Sequence, residues 1–499
     1  MRIITHQTSH RFIFFLISML FGIIPPLSAT ALYFVDPLWN GNTLGTASSP
    51  WKSLTANCWT QINETLRTSD VTLFFSARPR AHDIDNCYDT DLDGKQDGIE
   101  LIKKTTQSKF TLSFDGGSFF KTSDSGNWAK NDGKSMCKVL HFNSQNEKHS
   151  KISRIKINKF RIEKDDNGKA VSICGDFWMI SNCDIYHTPQ VNDGPLIFLV
   201  PVADKQHKGT NYYAPNCTDI SIINNQIHHS CGELLYLGGG GCTQIDSTGG
   251  APCRGFPSHT NITIAKNSFY EGGVYGQEGD AIDCKGGLSN VHITGNEIYN
   301  MHSPAYRAIT MKGLNLDTLV TQAIIEKNYI HHCTGLDDAA IAIVNNWGTP
   351  GIVEIRNNIV AFNDKSAIKI YGGRAIRVIN NTLFSNGGLG IDIQGGNITV
   401  QNNLLIANSN KNQIHFKGSQ VKCSNNGFSG NGFKMCSNCV SGLSARTFIN
   451  VIKSNFLPSK GSNILQIGIP DKNFSDDFTG KNRNSDTWTL GAFETSNNK

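Results

Sequence analysis

Between positions 233 and 312 the chain gathers Glu233, Glu278, Asp280, Asp283, Lys285, Arg307 and Lys312, in a sequence of 499 residues of which only 17% are charged. Carboxylates in such a group can hold a metal ion. An amine crowded by other cations is pushed toward its neutral form, the state in which it accepts a proton. Lys312 and Arg307 are cations able to grip a substrate carboxylate. Tyr236, Asp283, Lys369 and Tyr371 are the candidate substrate-binding residues. A solvated charged face is the plainer explanation of the same residues.

Other motifs carry less chemistry. Asp89, Asp91, Asp93, Gly94, Asp97 and Glu100 stand at positions 1, 3, 5, 6, 9 and 12 of a calcium-loop frame. No flanking helices are evident, so the segment reads as a free-standing structural Ca²⁺ loop or a plain acidic turn. His228-His229 and His331-His332 occupy equivalent places and read as turn fillers before metal ligands. Asp337-Asp338 invites a two-carboxylate hydrolase reading, but no second acid is clearly placed beside it. Cys436-x-x-Cys439 has only Cys423 nearby, short of the four ligands of a structural zinc. The even count of 14 cysteines permits full pairing, for instance Cys58 with Cys87 and Cys242 with Cys253.

The elements that must position these residues show in a repeat. An Asn-x-apolar triplet recurs at Asn225, Asn267, Asn296, Asn328, Asn358, Asn381, Asn403 and Asn426, with spacings of 42, 29, 32, 30, 23, 22 and 23. Alternating apolar stretches flank each triplet, as in Ala281–Lys285, Ala308–Lys312, Ala367–Tyr371 and Gly390–Gln394. Alternation with period two means strands with one buried face. Strands this short must bury that face by stacking on neighbouring copies. The Leu-x-x-Leu-x-Leu frame of a leucine-rich solenoid is absent. The fold class is therefore all-β, a right-handed parallel β-helix, with the Asn residues stacked into an internal ladder. Leu235, Ile282, Ile309, Ile341, Ile368, Ile391 and Ile414 form an inward column. Tyr236, Asp283, Thr310, Ala342, Lys369, Asp392 and His415 form the outward column beside it.

The expected organisation is a signal peptide at 1–31, an N-terminal capping region at 32–125, the β-helix at 126–440 and a closing segment at 441–499. The basic start, the apolar run Phe12–Ile24 and Ala29-Thr30-Ala31 have the grammar of a secretory signal, so the protein is expected to be secreted, without stable membrane insertion. The net charge is only +5 and no Lys/Arg-dense block occurs, which argues against nucleic-acid partners. A monomer is expected.

With the repeat, the stretch Leu32-Tyr33-Phe34-Val35-Asp36 to Leu54, and the tail Leu490-Gly491-Ala492-Phe493-Glu494, the chain resembles the secreted pectate-lyase-like β-helix proteins. The strip Glu278-Gly279-Asp280-Ala281-Ile282-Asp283-Cys284-Lys285, followed by Ile309-Thr310-Met311-Lys312, is similar to one in the chondroitinase B and alginate lyase family. That resemblance implies calcium on Glu233, Glu278 and Asp280, and Lys285 as base. Lys312 stands where the family has Arg, with Arg307 near, and Ser230 stands near its calcium-binding Asn. The implied activity is Ca²⁺-assisted β-elimination of an anionic, uronic-acid-containing polysaccharide. The alternatives are a non-catalytic glycan-binding or adhesin-like surface protein, and a glycoside hydrolase.

Overall fold

The computed structural model describes residues 30–36, 39–52, 54–75, 108–116, 119–122, 152–164, 170–173, 175–187, 195–199, 217–230, 232–238, 259–274, 279–285, 287–302, 307–313, 321–345, 350–408, 413–417, 420–430, 435–484 and 486–495. Among these, the strands form three parallel sheets of 13, 11 and 9 members, and one antiparallel pair, Phe448–Asn450 with Asn455–Pro458. From Trp178 onward each sheet takes every third strand, because each turn of chain lays one strand in each sheet and then rises above its own start. One coil is Thr218–Ile223, Gln226–His228 and Leu235–Leu237. The next is His259–Ala265, Ser268–Tyr270 and Ile282–Cys284. The architecture is the right-handed parallel β-helix that the repeat calls for.

The inward column is realised in register from Leu235 through Ile282, Ile309, Ile341, Ile368 and Ile391 to Ile414, and every member is buried. Each such side chain contributes about 1.5–3 kcal/mol by leaving water. At the corner between the two larger sheets the Asn ladder forms. From Asn225 to Asn426, each side-chain Nδ2 donates to the next Oδ1 at 2.9–3.0 Å. Each backbone N–H donates to that same Oδ1 at 2.8–3.0 Å. The residue before each ladder Asn turns the corner in the left-handed region, as at Asn224, Lys266, Lys327, Asn357 and Asn380, with φ between +54° and +60°. A second ladder, Asn363–Asn386–Asn408, occupies the following corner and was not expected from the sequence.

Replacing Asn358 with Ala removes the acceptor of Asn328 and the donor to Asn381 Oδ1 and Ile325 O, all in the dry interior. Buried groups left unpaired cost about 1–3 kcal/mol each. A fall in the urea midpoint with an unchanged slope is the expected result.

The strands Ala31–Val35, Val71–Phe75 and Leu112–Gly116 join the 13-stranded sheet, so the region expected as a cap continues the solenoid's own sheet. The helix Ala56–Thr65, capped by Thr55, adds Cys58, Trp59 and Ile62 to the core. The expected closing segment folds back along the flank of the coils. Asn357, Asn380, Asn402 and Asn425 donate side-chain amides to the backbone carbonyls of Asp476, Thr489, Ile469 and Ile467 at 2.8–3.2 Å. Arg483 is fully enclosed there, with its guanidinium donating to Asn357 Oδ1 (2.7 Å), Glu494 Oε2 (3.3 Å) and four carbonyls. No helix among the described residues is long and apolar enough to cross a membrane.

Candidate active site

The 9-stranded sheet bears the candidate site on its outer face. Because Ile282 and Cys284 point inward, Asp283 and Lys285 point outward, and parallel pairing sets them beside Tyr236 on one side and Thr310 and Lys312 on the other. Although they face outward, Asp283 is 1%, Lys285 8% and Thr310 0% exposed, so this is a dry recess and not a solvated charged face. The Asp283 carboxylate pairs with Lys285, and its Oδ2 lies 3.9 Å from Lys312 Nζ. Lys285 Nζ also sits 4.8 Å from the centre of the Tyr236 ring. Two buried oxygens, Asp283 Oδ1 and Thr310 Oγ1, have no hydrogen-bond partner. Such atoms are costly unless something polar meets them.

Electrostatics separate the two lysines in the opposite order from the sequence expectation. Burial alone would lower the pKa of Lys285, but Asp283 and then Tyr236 outweigh it, and the pKa rises. For Lys312 burial outweighs the attraction of Asp283 and, with the repulsion of Lys285 added, its pKa falls to about 8. Of the two amines, Lys312 is the one whose hold on its proton is weakened. Asp280, fully enclosed and repelled by Asp283, rises to about 7, while the backbone N–H of Arg307 donates to its Oδ1 at 2.5 Å.

The other expected residues divide. Glu233 and Asp280 are buried on adjacent coils, since Leu234 N donates to Asp280 O. Arg307 does not reach Lys285 or Asp283 with its guanidinium. It makes a two-pronged pair with Asp338 at 2.7 and 3.1 Å and lies 3.6 Å from Asp337. Asp338 also accepts from Tyr371 and lies 3.4 Å from Lys369, so Arg307, Lys369 and Tyr371 form a second cluster around this acid. Asp338 was not among the expected site residues. Its partners are donors on the coils before and after its own, and no single repeat reveals them. Burial works to raise its pKa, yet the hydrogen bonds from Arg307 and Tyr371 carry it below the ordinary range. Asp338 is thus an ionised anchor, unsuited to the acid role in glycoside hydrolysis.

The Ca²⁺ implied by the family resemblance finds a poor donor set here. Calcium takes roughly six to eight oxygens. Asp283 already faces two ammonium groups, Asp280 receives a backbone N–H, and Ser230 is occupied between Gly232 O and Gly273 N. Of the implied ligands only Glu233 and Asp280 are described, and two carboxylates fall short of that number. Glu278 and the loop Asp89, Asp91, Asp93, Asp97 and Glu100 lie outside the described residues, as do Cys87, Cys242 and Cys253. Among the described residues the sole convergence of three metal-ligating groups is Cys423, Cys436 and Cys439, of which the latter two form a disulfide. Burial lifts the thiols of Cys183, Cys333 and Cys423 to about 12, which leaves them unreactive.

A family model described as a right handed beta helix region matches residues 154–405. No curated protein matches the sequence. Solved structures with a similar course include the A-module of a mannuronan C-5 epimerase from Azotobacter vinelandii. It is 11% identical, has a TM-score of 0.41, and the match covers 79% of this chain and 96% of that one.

Proposed function

We propose, on the premise that this chain belongs to the right-handed β-helix family, that it is a polysaccharide lyase acting on a uronic-acid-containing polymer. The observation that carries the reading is one buried carboxylate, Asp283, flanked by Lys285 and, from the next coil, by Lys312. The proton at C5 of a uronate is weakly acidic because the adjacent carboxylate is negative. Lys285, held protonated by Asp283, supplies fixed positive charge against that carboxylate in a site with little water, where charge is worth most. Lys312, neutral above about pH 8, takes the C5 proton. The electrons of the broken C–H bond become the C4=C5 double bond, the C4–O bond breaks, and the departing oxygen takes its proton from the Lys312 ammonium, which restores the neutral amine.

The test is a panel of alginate, chondroitin and pectate, each with and without chelator, followed by ultraviolet absorbance of the unsaturated product. We expect absorbance to develop with at least one polymer. We also expect kcat/KM to climb with pH as Lys312 sheds its proton and to level above about 8. A rate that declines over that climb would remove Lys312 as base. The hydrolase reading has one observation in its favour, the Asp280 carboxyl pushed up to about 7 beside Asp283, and it predicts new reducing ends without absorbance. A non-catalytic glycan binder would retard the polymer in a gel and leave its length unchanged.

A further inference from the structure

We propose that the outer face of the 11-stranded sheet carries a transition-metal site on His228 and His229, repeated on His331 and His332. His228 ends the strand Gln226–His228, and its ring is stacked between Tyr186 at 4.9 Å and Tyr270 at 4.5 Å on the neighbouring coils, so it cannot swing away. His229 is left-handed, with φ +51°, at the corner where the coil turns, and this brings its ring back edge-on to that of His228. The two Nδ1 atoms lie 2.6 Å apart.

The far sides of both rings are held by carboxylates. His228 Nε2 is 2.8 Å from Asp184 Oδ1, and His229 Nε2 pairs with Glu271. A carboxylate only accepts, so each Nε2 carries the hydrogen. The two Nδ1 atoms then border one narrow gap, where a cation can bridge them. Carboxylate-oriented imidazoles are also how proteins hold metal-bound histidines. Three coils further on a similar pair recurs, with a carboxylate on the first ring. The Nδ1 atoms of His331 and His332 are 2.8 Å apart, His331 Nε2 is 3.1 Å from Glu297 Oε1, and His332 is left-handed at +53°.

Two imidazole nitrogens with open positions for water suit Cu²⁺, Ni²⁺ or Zn²⁺, with Cu²⁺ bound most tightly. Metal–nitrogen bonds of about 2.0–2.1 Å at right angles place the donors about 3 Å apart, so the pairs need to open by only a few tenths of an ångström. The test is a titration of the full chain with CuCl₂, read by electron paramagnetic resonance. Two equivalents of Cu²⁺ with nitrogen hyperfine structure are expected. His229→Gln should remove one equivalent, and His229→Gln with His332→Gln both. Glu271→Gln, which keeps both rings, should weaken the first site by about 10–100-fold. Circular dichroism would verify that the coils persist in each variant. Absence of nitrogen-coordinated copper in the native chain, or undiminished binding in the double variant, would overturn the proposal and leave a shared proton between the rings.

Discussion

Lys312→Met is expected to lower kcat on a uronate polymer by about 10²–10⁴-fold, the usual contribution of a positioned general base, with KM changed little. The argument lies in its surroundings. Lys312 shares one buried carboxylate with Lys285 but stands 3.9 Å from it, so burial outweighs the attraction of Asp283 and, with the repulsion of Lys285, lowers its proton affinity. Conservative variants sharpen the test. Lys312→Arg should be as inactive as the methionine variant, because a guanidinium does not give up its proton at any accessible pH. Lys285→Arg should keep much of the turnover, because that position needs only a permanent cation against Asp283. An active Lys312→Arg beside a dead Lys285→Arg would exchange the two roles, and full turnover in Lys312→Met would dismiss the amine altogether.

The second large effect concerns stability. Arg483→Ala should cost about 3–5 kcal/mol, because it strands the buried Glu494 carboxylate without its cation. It also strips donors from carbonyls of Asp476, Thr489, Gly491 and Ala492. Arg483→Lys should recover little, since one ammonium cannot serve acceptors arrayed around a planar fork. Urea unfolding of the purified variants measures the loss, and limited proteolysis reports whether residues 455–495 come away first. A variant as stable as the parent would show that the tail is held by its apolar contacts, Phe448, Phe456, Ile464 and Leu490 among them.

The coils were legible because period-two alternation and a recurrent Asn are properties of single strands, and stacking only copies them. Reading down the copies placed Asp283 beside Thr310 and Lys285 beside Lys312, as the strand register has them. What reading down a column does not reveal is which amine a carboxylate takes. Asp283 turns to Lys285, and that choice inverts the proton affinities expected for the two lysines. Arg307 was assigned to the same recess because its backbone belongs there, but its side chain reaches forward to Asp338, a turn residue outside the repeating columns. Arg483 and all its acceptors but Asn357 lie in a segment with no repeat at all, so no alignment of copies could announce them. The second ladder at Asn363, Asn386 and Asn408 was visible in principle, since the spacings are 23 and 22, but only three coils carry it.

In a rod of stacked turns each layer ordinarily feels only the layers above and below, and damage creeps along it one layer at a time. The returning C-terminal stretch breaks that rule. By gripping Lys327, Asn357, Asn380, Asn402 and Asn425 in turn, it works like a splint bound lengthwise across successive layers. Those layers must then give way together or not at all, and the recess around Lys312 lies just beyond the splinted end. Fraying is therefore confined to the opposite, amino-proximal end of the rod, which can loosen without disturbing the splinted layers.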